Sequence, residues 1–334
     1  DNTPQNVGTI RVYATNTDTT PITDATALTD NTTYYFSLQD TDPTKCESDR
    51  RALLVTLVAK PTVNLTYTYC AGTKLETLWD EIDANDYNSD RSLKFYETAT
   101  STTALARNAV LRAGNYYVAE SSTTSALGNC ETTRVPLAVV LTKVTAITAD
   151  LSTTEVKYCE GHTSPATLSV TAEGTGNFTY TWYKARNTTE TGTVVRTQAN
   201  VTANQDTYIP ATDAVETAYY YVVVSSACGS DVTSARAHIT VTENTAIKTD
   251  GNLSTTEKKY CKDQTSGVLD LLIKAKGTAP FTYKWYKAAN ATDVGTLVRT
   301  DNTNSDEDSY TPVVTTVETA YYYVVVSSAC GSDV

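Results

Sequence analysis

The chain contains no Met, 4 Phe and 2 His among its 334 residues. The two His, His162 and His238, lie far in sequence from any second metal-ligand candidate, and none of the 7 Cys forms a C-x-x-C pair. Zinc sites and thioredoxin-like redox chemistry are therefore not expected. Basic residues number 26 against 38 acidic ones, for a net charge of −12, and they form no stripe. That excludes a nucleic-acid or anionic-membrane footprint. No apolar run reaches membrane-spanning length, so no membrane insertion of this segment is expected. No signal peptide or initiator Met opens the sequence, and the lack of Met fits an internal or processed segment. No Ser-His-Asp order, paired-carboxylate arrangement or Gly-rich phosphate loop stands out, which predicts no enzymatic activity and no cofactor.

What is abundant is Thr, about a fifth of the chain, together with 23 Tyr. Thr, Val and Tyr suit a pleated, half-buried surface, and the expectation is all-β. The stretch VETAYYYVVVSSACGSDV occupies residues 215–232 and recurs letter for letter at 317–334. FTYTWYKA at 178–185 returns as FTYKWYKA at 281–288, and LSTTEVKYC, ending at Cys159, returns as LSTTEKKYC, ending at Cys261. Two tandem units of about 100 residues follow. Two more are visible at lower identity. IRVYATNT from Ile10 aligns with LKFYETAT from Leu93, TTYYFSL (32–38) with GNYYVAE (114–120), and CESDR (46–50) with CETTR (130–134).

The expected boundaries are 1–58 for the C-terminal part of a truncated repeat, 59–142 and 143–243 for complete repeats, and 244–334 for a repeat lacking its last strand. The linkers at 60–69, 142–150 and 242–252 are short and Thr-rich, without Gly-Ser character. They read as extended strand continuations, and the array as an elongated rod. Each complete repeat carries one Cys early and one near its final hairpin, so pairing is expected within repeats: Cys70 with Cys130, Cys159 with Cys228, and Cys261 with Cys330. Cys46 is left unpaired within these residues. A bridge between repeats three and four would contradict this division. Disulfides imply an oxidising, extracellular compartment.

Alternation places Phe178, Tyr180 and Trp182 on one strand face, with Ile10 and Val12, Leu93 and Phe95, and Tyr283 and Trp285 at the same inward parity. Tyr13, Tyr96, Tyr183 and Tyr286 fall on the outward side. About seven short strands per repeat, with an inward Trp on an early strand, predict tandem immunoglobulin-like β-sandwiches. Without its early strands, repeat one should leave its inner face uncovered, including Ile10 and Val12.

YCAGTKLETL (69–78), the Phe95-Tyr96 strand, NYYVAE and CETTR resemble the Ig-like repeats of large secreted surface proteins of Bacteroidota, including gliding-type adhesins exported by the type IX pathway. The resemblance covers all four repeats. It implies a cell-surface segment acting as stalk or adhesive array, in contact with neighbouring repeats, surface glycans or other copies of itself. A carbohydrate-binding array and an accessory region of a secreted hydrolase are the alternatives.

Four features are candidate sites. The outward Tyr13, Tyr96, Tyr183 and Tyr286 could stack sugar rings or simply cover the outer sheet. Asp86, Asn88 and Asp90, with Glu97 in twelfth place, imitate a calcium loop whose sixth position is Arg91 rather than Gly. The acidic stretch DNTNSDEDS (301–309) reads as a solvated loop. Thr19, in Asp18-Thr19-Thr20, resembles a short O-glycan acceptor of the same bacteria.

Overall fold

A computed structural model describes residues 8–23, 26–42, 44, 46–55, 57–85, 91–122 and 130–334. The chain divides into two compact units, Asp1–Thr142 and Lys143–Val334. It is almost wholly β-stranded, and the ladders among the described residues fall within 9–55, 66–142, 146–242 and 246–327. We number these four groups one to four.

In group one, β1 (Thr9–Tyr13), β2 (Thr32–Gln39) and β3 (Arg51–Val55) form an antiparallel sheet in chain order. In group two, β4 (Thr66–Cys70) is followed by α1 (Leu75–Asn85), then β5 (Arg91–Tyr96), β6 (Gly114–Ser122) and β7 (Val135–Thr142). The sheet order is β4-β7-β6-β5, with β4 parallel to β7. The opposing layer contains a helix, where sandwiched strands alone were expected. Leu75, Leu78 and Ile82 recur at helical spacing and pack against Leu93, Phe95, Val118 and Leu137 of the sheet.

Group three is an Ig-like sandwich. Its strands are β8 (Ala146–Ala149), β9 (Val156–Cys159), β10 (Leu168–Glu173), β11 (Phe178–Ala185), β12 (Thr193–Val201), β13 (Gln205–Tyr208), β14 (Glu216–Ser225), β15 (Val232–Thr233) and β16 (Ala237–Thr242). One sheet runs β13-β10-β8 and the other β12-β11-β14-β16-β9, with β15 beside β14. Phe178, Tyr180 and Trp182 alternate into the core between them, with Trp182 fully buried. The β9–β16 pairing is parallel and carries Cys159 beside Thr242.

Group four repeats this with β17 (Ala246–Ile247), β18 (Leu271–Lys276), β19 (Phe281–Ala288), β20 (Thr296–Thr303), β21 (Glu307–Tyr310) and β22 (Tyr321–Ser327). Nothing in it corresponds to β16. Residues 258–261, the sequence match of β9, accordingly form no strand. The same absence explains why the two identical eighteen-residue stretches fold unequally. β14 begins at Glu216, paired with Val241, whereas β22 begins only at Tyr321. No described helix is long and apolar enough to cross a membrane.

Candidate functional site: a stapled junction between repeats

The disulfide expectation is overturned. Cys159 is bonded to Cys330, joining groups three and four, with their Cα atoms 5.4 Å apart. Cys130 and Cys261 are exposed free thiols, so neither Cys70–Cys130 nor Cys261–Cys330 forms; Cys46 is exposed and free as well. The physical reason is strand direction. β9 precedes the sandwich in sequence, but it runs parallel to β16 and ends where β16 ends, at the exit pole. Cys228 follows β14 at the opposite pole, against linker residues Val144 and Thr145. The ten residues of β14 span roughly 33 Å at about 3.3 Å each, whereas a disulfide needs its Cα atoms within about 7 Å. Cys159 cannot reach Cys228, but the following repeat brings Cys330 to the exit pole.

The linker at 243–245 is clamped around this bridge. Thr245 donates its backbone N–H to the carbonyl of Cys330 at 2.9 Å and its hydroxyl to the same oxygen at 2.6 Å. The Thr245 hydroxyl also meets Ser328 Oγ at 2.7 Å. Asn244 donates to the Glu160 carbonyl at 2.9 Å, and the Thr278 hydroxyl donates to the Glu243 carbonyl at 3.0 Å. Lys276 and Glu243 form an ion pair at 3.3 Å. Gly331 has φ +87°, and a Cβ there would stand 3.0 Å from Thr245 N; only Gly suits both that backbone and that approach. The linker ahead of β8 repeats the pattern. Thr145 donates its N–H and its hydroxyl to the Cys228 carbonyl at 2.8 and 2.7 Å, with Gly229 at φ +87° beside it.

Each outward Tyr has a partner. Tyr13 and Tyr96 do lie opposite the inward positions, but they are buried, with 1 % and 3 % of their surface exposed. The Arg50 guanidinium lies 3.5 Å over the Tyr13 ring and Arg134 lies 3.4 Å over Tyr96. Glu47 and Glu131 accept the two phenolic hydroxyls at 2.8 Å. Arg134 also donates to the carbonyls of Thr98 and Ala99. The recurring CESDR and CETTR are therefore a structural clasp, and these two rings cannot stack a sugar. Tyr183 and Tyr286 are half-buried and stacked on Tyr221 and Tyr323 at 4.9 and 5.0 Å. Arg236 adds a cation 4.1 Å from the Tyr221 ring.

Asp308, read as part of a solvated loop, is instead nearly buried: it accepts the indole N–H of Trp285 at 2.7 Å and pairs with Arg299. Asp206 does the same for Trp182 with Arg196. The signal was present in DTYIP (206–210) and DSYTP (308–312), which recur 102 residues apart. Asp86, Asn88 and Asp90 lie outside the described residues, and Glu97 is exposed. His162 is exposed, stacked 5.0 Å from Tyr158, and His238 stacks 4.5 Å from Tyr219. Among the described residues no group of three His, Cys, Asp or Glu could hold a metal ion. Thr19 is exposed on a bend whose Asp18 accepts from Thr15 N at 2.8 Å.

No family model and no curated protein matches the chain at a significant level. Among solved structures it is similar to a three-domain I-band fragment of titin, with 12% identity and a TM-score of 0.46 over 82% of this chain and 96% of that one. It is also similar to immunoglobulin domains 1–5 of Sidekick-1, with 13% identity and a TM-score of 0.30 over 97% and 70%. A third is a tetra-tandem repeat from the extending region of a large adhesion protein, with 14% identity and a TM-score of 0.30 over 90% and 79%. At such scores these likenesses carry no functional argument, and the Ig-like assignment rests on the strand order of group three.

Proposed function

We propose that the chain is a non-catalytic, extracellular repeat segment that serves as a load-bearing stalk or adhesive array of a large cell-surface protein, with the boundaries 1–58, 59–142, 143–243 and 244–334; these are kept despite the bridge between repeats three and four, and the ladders that fall within 146–242 and 246–327 support them. The secreted Bacteroidota setting, with type IX export and gliding motility, belongs to the same proposal and is supported by the YCAGTKLETL, NYYVAE and CETTR motifs. The observation that carries the reading is the Cys159–Cys330 bridge across a clamped linker. Tension between the chain's ends passes from Cys159 through the bond to Cys330. A catalytic protein has no evident use for such a bypass, whereas a tether gains stiffness and resistance to extension from it.

Single-molecule stretching of the chain from its two ends tests this. The bridge spans a sequence separation of 171. At about 3.5 Å per extended residue, reduction should release roughly 600 Å of further contour length. If oxidised and reduced molecules extend to the same length, the load path does not run through the bridge and the reading fails.

A further inference from the structure

The β1–β2–β3 sheet lacks two things that its counterpart in group two possesses. Its inner face leaves Ile10 and Leu53 exposed, and among the described residues the outer edge of β3 has no partner strand. The equivalence of the two sheets is residue by residue. Tyr13 faces Tyr35 as Tyr96 faces Tyr117, and both sheets carry the Arg–Tyr–Glu clasp. Ile10 therefore corresponds to Leu93, and Leu53, opposite Tyr34, corresponds to Leu137, opposite Tyr116. Leu93 and Leu137 are 4 % and 2 % exposed, whereas Ile10 and Leu53 are 68 % and 54 % exposed.

In group two a single contiguous stretch covers both places. β4 pairs in parallel with the edge of β7, and α1 follows directly, laying Leu75, Leu78 and Ile82 on the inner face. Residues 66–85 thus do in 20 residues what group one leaves undone.

We propose that the open face and outer edge of the β1–β2–β3 sheet are the receptor for a strand-and-helix polypeptide segment with the chemistry of residues 66–85. The strand supplies parallel hydrogen bonds along β3. The helix supplies apolar side chains at positions i, i+3 and i+7 for Ile10 and Leu53. The chemistry is that of a repeat neighbour, without charge matching or metal.

The probe is a synthetic peptide of residues 64–85 carrying Cys70→Ser, added to the intact 334-residue chain and followed by hydrogen–deuterium exchange and by titration. Amides of Arg51–Val55 should gain protection. Ile10→Asp with Leu53→Asp should weaken binding by about tenfold or more, since each removes a buried aliphatic contact. Both residues are exposed without the peptide, so the variant should fold as the parent does, checked by unchanged exchange elsewhere. Three results would overturn the proposal: no protection of β3, protection confined to residues 66–142 through exchange with the resident segment, or a self-association of the chain, seen by sedimentation, that buries this face without peptide.

Discussion

The clasp around Tyr13 and Tyr96 shows how far a single residue's environment can depart from its parity. Alternation placed Tyr13 and Tyr96 correctly on the outer face, but it does not count what lies across that face. An Arg four positions after Cys46, and another four after Cys130, closes over the ring. Burial pushes the Glu131 carboxyl up, yet hydrogen bonds from Tyr96 and Lys94 and the nearby Lys94 and Arg134 charges outweigh it and hold the group below the ordinary value of 4.5. A lowered folded-state pKa gives stability that is present above 4.5 and is lost as the pH falls through the lowered value. Thermal melts between pH 3 and 7 should therefore show residues 59–142 weakening below pH 4.5, and Glu131→Gln should flatten that dependence. A second test concerns Trp182. Asp206→Ala leaves a buried indole N–H without its acceptor, at a cost of about 1–3 kcal/mol, while Asp206→Asn keeps an acceptor and should cost less. Urea denaturation of the two variants measures the difference.

Among the elements, α1 is the part of the fold that the sequence reading missed. LETLWDEI carries apolar residues at 75, 78, 79 and 82, a helical spacing, within YCAGTKLETLWDEI, a stretch whose start resembles the secreted repeats. Thr-rich flanks and the strands on both sides biased the reading toward β. Leu78 is fully buried between helix and sheet. Leu78→Ala should destabilise residues 66–142 by about 2–5 kcal/mol and raise amide exchange there, while groups three and four keep their protection. Equal loss of protection throughout would mean that the groups do not unfold separately. The strands were more legible. Inward Phe178, Tyr180, Trp182, Tyr283 and Trp285 all fill cores, because a half-buried sheet imposes a period of two on its sequence. Parallel pairing leaves no such trace. Nothing in VKYC states that it runs beside β16 rather than across β10, and the direction of that one short strand decides where Cys159 lies.

At the scale of the whole molecule the consequence is the disulfide map. Order in sequence suggested that an early and a late Cys of one repeat should meet, but the two stand at opposite poles of a sandwich about one β14 length apart. A bridge that closes a loop of 171 residues stabilises the folded chain by about 5 kcal/mol by chain-entropy reasoning, more than closing a single repeat would. Trypsin separates the alternatives despite the duplicated stretch, because the flanking cleavage sites differ. Cys159 lies in the peptide Tyr158–Lys184, Cys228 in Thr197–Arg236 and Cys330 in Thr300–Val334. Non-reducing digestion should yield Tyr158–Lys184 linked to Thr300–Val334. Alkylation before reduction should label Cys46, Cys130 and Cys261, the three exposed thiols. Recovery of Tyr158–Lys184 linked to Thr197–Arg236 would restore pairing within the repeat. It would require β9 to run antiparallel to its observed direction, and would remove the bypass on which the load-bearing role depends.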